Sequence, residues 1–195
     1  MDRKVFGIGL SKTGTTSLAS MLEKLGFSFV QDNMGDYEEI TLDELICRMD
    51  EAVEKYNAFS DSPWCRFYQR YAERFPDSQF ILTLRPVDRW MNSMSNFADK
   101  DIPMMGHAYG VRRFRGNEEH FKKLYQQHTI DAIQYFSGKP GRLLVLDIEA
   151  DAASLARAIE AFLGLSPSDF LFPKANVSRR SHIKWLLRGR VPSVF

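Results

Sequence analysis

The stretch Val5-Phe6-Gly7-Ile8-Gly9-Leu10-Ser11-Lys12-Thr13-Gly14-Thr15-Thr16-Ser17-Leu18 decides the fold. Its first five residues are apolar or glycine, the pattern of a short buried strand. A Gly- and Thr-rich turn follows. From Ser17 to Leu25 the residues Leu18, Met21, Leu22 and Leu25 recur at helical spacing, and Gly26 stands where a helix stops. Strand, glycine loop and helix in that order point free backbone N–H groups at an anion, and the helix dipole adds positive potential there. Gly9 and Gly14 have the spacing of the G-x-x-x-x-G of a Walker A loop. Where that pattern wants Lys and then Ser/Thr, this chain has Thr15 and Thr16, and its lysine is Lys12, inside the loop. The hydroxyls of Thr13, Thr15, Thr16 and Ser17 supply donors beside it. A turn of this composition also serves as a plain helix cap.

Working outward, Phe27 to Val30 is expected as a second strand. Thr41-Leu42-Asp43-Glu44 has the form of a capping box, opening a helix towards Tyr56. Ala58-Phe59-Ser60 is expected as a third strand, ending at Asp61-Ser62-Pro63, with a helix from Cys65 to Arg74 beyond it. After the turn Pro76-Asp77-Ser78, the run Gln79 to Leu84 is the clearest strand and ends on Arg85-Pro86. Pro86 fits the first turn of a helix running from Val87 to Ala98. Residues 99–116 lack periodicity and are expected to form a long irregular loop or lid. A helix from Glu118 to Phe136, a strand from Arg142 to Asp147 and a helix from Ala152 to Leu163, stopped by Gly164, complete the order. Strands alternating with helices predict an α/β fold, a parallel sheet covered on both faces. Ligands of such sheets bind beyond the carboxyl ends of the strands. The polar junctions after Gly9, Ser60 and Leu84 all fall at such ends.

With 195 residues, 44% of them hydrophobic and 26% charged, the chain is expected to form a single domain over residues 1–195. A net charge of +1 argues against wholesale attraction to nucleic acid or a membrane surface. Arg112, Arg113 and Arg115 cluster, and the tail carries Arg179, Arg180, Lys184, Arg188 and Arg190, either to meet a phosphate or as a solvated basic end. Cys47 and Cys65 have neither metal-ligand spacing nor the density of a disulfide scaffold, which suggests a reducing compartment. No signal peptide fits before the first strand, and no apolar run approaches the ~20 residues of a membrane span. A cytoplasmic, soluble protein is the expectation.

The run Ser11-Lys12-Thr13-Gly14-Thr15-Thr16 resembles the 5′-phosphosulfate loop of the sulfotransferase family, commonly written Pro-Lys-Ser/Thr-Gly-Thr-Thr, with Ser11 in the proline position. The family's second signature is a strand ending in Arg with a Ser eight residues later, both on the 3′-phosphate. Here Arg85 ends a strand and Ser93 follows at that distance. The run Arg85 to Ser93 is similar to Arg-Asp-Pro-x-x-Arg-x-x-Ser, shortened by one residue before Arg89. A guanidinium fork grips phosphate oxygens in two bonds and a serine hydroxyl adds another. Arg89 has a second reading, an ion pair with Asp77 or Asp88. The two anchors lie roughly 70 residues apart at two strand ends of one sheet. The chain looks most like the compact family members beginning Gly-x-Gly-x-x-Lys-Thr-Gly-Thr-Thr-Ser-Leu.

The resemblance implies a three-layer, P-loop-like α/β fold with a central parallel sheet. It also implies 3′-phosphoadenosine-5′-phosphosulfate (PAPS) as donor, 3′,5′-ADP as product, and no metal. The donor would be held by Ser11, Lys12, Thr13, Gly14, Thr15, Thr16, Ser17, Arg85 and Ser93. Family members carry a His or Glu base just after the third strand, where this chain has Asp61, in a run similar to Glu-Lys-Ser-Pro-x-Tyr-Phe but without its lysine. Asp61 would take the acceptor proton while Lys12 stabilises the leaving phosphate. Asp before Ser-Pro is also a good turn residue. His107, His120, His128 and His182 are alternative bases. Asp147 resembles a Walker B aspartate but is better read as a helix N-cap, and Arg179 or Arg180 could close the 3′-phosphate site. Trp64, Phe67, Trp90, Phe97, Met104, Met105 and Phe114 could line an apolar acceptor pocket, while Arg112 to Arg115 would suit an anionic one. Two other classes stay open, a small-molecule P-loop kinase using ATP and a nucleotide-binding module without catalysis.

Overall fold

Four short strands, β1 (Val5–Gly7), β2 (Ala58–Ser60), β3 (Gln79–Leu84) and β4 (Leu143–Asp147), form one parallel sheet in the order β2-β1-β3-β4. The computed structural model describes residues 3–30, 40–98 and 103–174, the side chains of Pro103 and Met104 excepted. The helices among them are α1 (Thr15–Lys24), α2 (Leu42–Lys55), α3 (Tyr68–Arg74), α4 (Val87–Phe97), α5 (Pro103–Tyr109), α6 (Glu118–Phe136) and α7 (Ala152–Phe162). Central β1 pairs on both sides, Val5 with Ala58 and Gln79, Phe6 with Phe59 and Phe80. Every side chain of β1 and β2 is buried, which explains the unbroken apolar runs.

Alternation along the strands sorts the core into two layers. Phe6, Phe59, Phe80 and Leu82 pack with residues of α2, α3 and α6. The Phe6 ring stacks on Phe59 at 4.8 Å and on Phe80 at 5.2 Å between centroids. On the opposite face Val5, Ala58 and Ile81 meet Leu18, Met21 and Leu22 of α1 and Leu155, Ala156 and Ile159 of α7. The fold is therefore a three-layer α/β sandwich. A third cluster gathers Leu10, Trp90, Met94, Tyr109, Phe121 and Tyr125 beneath the glycine loop.

Several boundaries differ from expectation. Phe27 to Val30 is no strand but a single parallel bridge, Phe29 to Ala58. At its start the Asn57 side chain, rather than a strand carbonyl, accepts the Ser28 N–H at 2.8 Å. Residues 99–116 are not wholly irregular. The seven-residue α5 is too short to show periodicity, yet it seats Met105, Ala108 and Tyr109 in the third cluster. The helix expected from Cys65 starts at Tyr68, because Arg66 and Phe67 make i→i+3 turn bonds to Pro63 and Trp64. α1 starts two residues early, at Thr15, and Pro86 is the N-cap of α4 rather than part of its first turn. The capping box at Thr41 and Glu44 is present with both of its bonds.

Gly9 brings β1's exit onto β3. A Cβ there would stand 2.0 Å from Thr83 Oγ1 and 2.7 Å from the Thr83 carbonyl oxygen, closer than atoms can pack. Gly9→Ala is expected to lower stability by about 1–3 kcal/mol or more, read as a fall in the urea midpoint at unchanged slope.

Candidate functional site

The glycine loop is held from inside by its own hydroxyls. Thr13, fully buried, sends its N–H and its O–H to the Leu10 carbonyl at 3.1 and 2.7 Å. Its oxygen also lies 2.8 Å from Thr83 Oγ1, and since the Thr13 proton is engaged, Thr83 is the donor. Ser11 is held at three points. Its N–H donates to Tyr109 Oη at 2.8 Å, its carbonyl accepts from Trp90 Nε1 at 2.9 Å, and its hydroxyl donates to Asp61 Oδ1 at 2.5 Å. Thr15 donates to Asp61 Oδ2 at 2.6 Å. Thr16 is exposed at the mouth of the loop, and Ser17 is buried. The start of α1 carries no side-chain cap, as at α3, α4 and α6 and unlike α2 and α7.

Lys12 (φ 72°) and Asp61 (φ 73°) are the two non-glycine residues with left-handed backbone among the described residues. Conformations of that kind persist only where surrounding structure enforces them, and they collect at functional sites. The Lys12 ammonium lies 4.9 Å from the Phe97 ring centroid. Burial draws its pKa below the ordinary lysine value, Asp61 opposes that, and Arg85 adds to it.

Arg85 joins the second strand end to the loop. Its Nη1 donates to the Lys12 carbonyl at 3.3 Å, and its backbone is clasped by Tyr125, which accepts from Arg85 N–H at 3.0 Å and donates to its carbonyl at 2.6 Å. Arg85 Nε is buried with no hydrogen-bond partner. Ser93 lies half-buried on α4. Arg89 pairs with neither Asp77 nor Asp88. It reaches Glu149 instead, Nη1 to Oε1 at 3.0 Å. Asp147 does not cap α7 either. Its carboxylate accepts from Glu149 N–H, and Asp151 is the cap.

The histidines divide. His128 Nε2 lies 2.7 Å from the Ile8 carbonyl, and as a carbonyl only accepts, that nitrogen carries the proton. His120 binds the Tyr109 carbonyl in the same way at 2.6 Å. Both side chains also line the cavity that runs along α6. His107 lies on α5, and His182, Arg179 and Arg180 fall outside the described residues. Of the aromatic residues offered for an acceptor pocket, Trp64, Trp90 and Phe114 are core, as is Met105, while Phe97 is exposed at 38% beside Lys12. The Met104 side chain lies outside the description. A cavity of about 1370 Å³ runs along α6, lined by Leu10, Cys65, Tyr68, Lys123 and His128 among others; Ser11, Lys12, Asp61 and Arg85 are not in its wall. Among the described residues no group of three or more His, Cys, Asp or Glu is placed to hold a metal ion, and no helix is long and apolar enough to cross a membrane.

A parallel sheet with a glycine loop at one strand end and an arginine at another is also the setting of known proteins similar to this chain. The family described as "Sulfotransferase domain" matches residues 4–115, which hold the loop, Asp61, Arg85 and Ser93. The chain belongs to the sulfotransferase family. The sulfotransferase from Alicyclobacillus acidocaldarius has a similar fold, at TM-score 0.53 and 18% identity over 95% of this chain and 90% of that one. Shikimate kinase from Bacteroides thetaiotaomicron shares the architecture, at TM-score 0.50 and 15% identity over 84% of this chain and 99% of that one. The Ava biosynthesis cluster protein M of Aspergillus versicolor is 28% identical over a 109-residue alignment covering 48% of this chain. That alignment spans 42% of the fungal protein's own length.

Burial holds the His128 imidazole below its ordinary value of 6.5, against the opposing pull of the Ile8 carbonyl and Asp131. The unfolded chain therefore binds more proton here than the folded one. This contribution to stability is complete above about pH 6.5 and is lost as pH falls through the lowered folded value. His128→Gln keeps a donor for Ile8 but cannot titrate. The drop in urea midpoint between about pH 7.5 and about pH 5.5 is expected to be smaller in the variant than in the parent.

Proposed function

We propose that this chain moves a sulfuryl group from PAPS to a hydroxyl or amine of a small-molecule or carbohydrate acceptor and releases 3′,5′-ADP. The observation that carries this is the union of two anion anchors. Arg85 touches Lys12 through its carbonyl while keeping a buried Nε donor without a partner. An orphaned donor beside an uncapped helix start fits a ligand with two separated phosphates better than one with a single chain of them. The Thr15 where a kinase loop would carry lysine supports the same choice against ATP. The fungal relative's place in a biosynthesis cluster supports a small-molecule acceptor.

The amides that open α1, with Lys12 and the Thr16 hydroxyl, hold the 5′-phosphosulfate, and Arg85 with Ser93 holds the 3′-phosphate. Ser11, Thr13 and Thr15 shape the loop through their internal bonds, a narrower role than direct contact with the donor. Asp61 Oδ1 accepts from Ser11 and from Ser62 N–H, whereas Oδ2 accepts from Thr15 alone and keeps a lone pair. Oδ2 is thus the oxygen that takes the acceptor's proton. As the acceptor oxygen bonds to sulfur in line, the bond from sulfur to the bridging phosphate oxygen breaks, and 3′,5′-ADP leaves with that electron pair. Lys12 and the first-turn amides stabilise the charge that builds on the bridging oxygen.

A thermal-shift titration is expected to rank 3′,5′-ADP above ATP with Mg²⁺, with the 3′,5′-ADP shift lost in Arg85→Ala. The reverse ranking would overturn the donor assignment in favour of a kinase. With labelled PAPS and an acceptor library, Asp61→Asn is expected to keep the 3′,5′-ADP shift and lose about 10²–10⁴ in kcat. Binding of 3′,5′-ADP without turnover of any acceptor by the parent protein would mark a module that has no catalysis.

A further inference from the structure

The turn after β4 carries a carboxylate that the two-phosphate clamp does not use. Glu149 Oε1 accepts from Arg89 Nη1 at 3.0 Å and lies 3.8 Å from Arg85 Nε, within ion-pair range but too far for a hydrogen bond. One monoanion therefore faces two guanidinium groups and leaves the buried Nε of Arg85 unbonded. The backbone that presents Glu149 is fixed. Ile148 N–H donates to the Leu84 carbonyl at 3.0 Å, and Glu149 N–H donates to Asp147 Oδ1 at 3.0 Å. The Ile148 side chain lies over the loop, its Cγ2 3.0 Å from where a Cβ on Gly14 would stand. The turn thus packs on the loop at Gly14 and brings an acid within ion-pair range of Arg85.

We propose that Glu149 is an internal stand-in for the 3′-phosphate. It occupies the anion seat of Arg85 and Arg89 in the free protein and is exchanged for phosphate on binding, so it holds down the affinity for 3′,5′-bisphosphates and leaves that for nucleotides phosphorylated only at the 5′ position untouched. The exchange follows from charge. A phosphate monoester brings roughly −1.5 to −2 charges and three acceptor oxygens, enough to bond the idle Nε and outcompete a single carboxylate. A ribose 3′-hydroxyl brings no charge and leaves the carboxylate where it is. The Arg89 side chain of the resident pair is 71% exposed and that of Glu149 25%, so the exchange gives up one partly screened ion pair.

This inference rests on Arg85 as the 3′-phosphate anchor, and one calorimetric series tests the two separately. 3′,5′-ADP and 5′-AMP are titrated into the parent protein, Glu149→Gln, Glu149→Ala and Arg85→Ala. Removing the carboxylate is expected to tighten 3′,5′-ADP by about threefold or more in both Glu149 variants and to leave 5′-AMP unchanged. Weaker 3′,5′-ADP binding in the Glu149 variants would show that Glu149 positions Arg85, and equal tightening of both ligands would show a general field effect. Either result overturns the exchange. Loss of 5′-AMP binding in Glu149→Gln also overturns it, since the carboxylate would then be accepting from a ribose hydroxyl. If Arg85→Ala binds 3′,5′-ADP as well as the parent does, the anchor itself is wrong and the inference falls with it.

Discussion

The close approach of Gly9 to Thr83 is the constraint on which the site depends. With no side chain at Gly9, the segment leaving β1 lies directly against the end of β3, and the Thr13 and Thr83 hydroxyls bond across the gap at 2.8 Å. That contact joins loop and Arg85 strand into one body, and Arg85 closes it from the other side by donating to the Lys12 carbonyl. A side chain at Gly9 would clash with both threonines and the Thr83 carbonyl, so loop or strand would have to shift. The aromatic cluster beneath completes the support. Trp90 and Tyr109, both almost fully buried, fix the carbonyl and the N–H of Ser11, the position at which the family pattern has proline. Proline stiffens a loop by restricting φ. Here, two hydrogen bonds from neighbouring helices hold the same position.

Charge is organised in the same economical way. Each cation group at the mouth faces a carboxylate of the chain itself. Lys12 feels Asp61, while Arg85 and Arg89 face Glu149. Clustering Lys12 and Arg85 costs energy, and burial adds to the cost by pulling the lysine towards its neutral form, so the nearby acids keep the free site from repelling itself. In the exchange proposed for Glu149, an incoming polyanion takes over these partners rather than filling an empty field. The two acids differ in how firmly they are held. The Asp61 carboxylate is gripped by Ser11, Thr15 and Ser62 N–H, whereas the Glu149 carboxylate accepts one hydrogen bond, from an exposed arginine.

Much of the architecture was legible in the sequence because it follows from local rules. Periodicity marked α1, the stop at Gly164 marked the end of α7, the apolar runs marked β2 and β3 at their observed bounds, and the Thr41–Glu44 box marked the start of α2. The signs that failed were those that depend on neighbours. Phe27 to Val30 has strand composition, but it pairs through a single bridge, and an asparagine side chain on the adjoining segment accepts the Ser28 N–H at its start. α5 gains its order from Trp90 and Phe121 on other helices rather than from a pattern of its own.

The sequence by itself determined the residues of the glycine loop, the strand-end arginine and the class to which the chain belongs, since spacing within a short segment survives any packing. Only the tertiary structure decided which hydroxyls are turned inward and that Asp61 is bound to the loop. It alone showed that His128 serves the Ile8 carbonyl and that Arg89 belongs to Glu149. The physical reason is distance along the chain. Arg89 and Glu149 are 60 residues apart, and His128 and Ile8 are 120 apart. Hydrogen bonds and ion pairs act over a few ångströms, so such partners meet only once the sheet has folded.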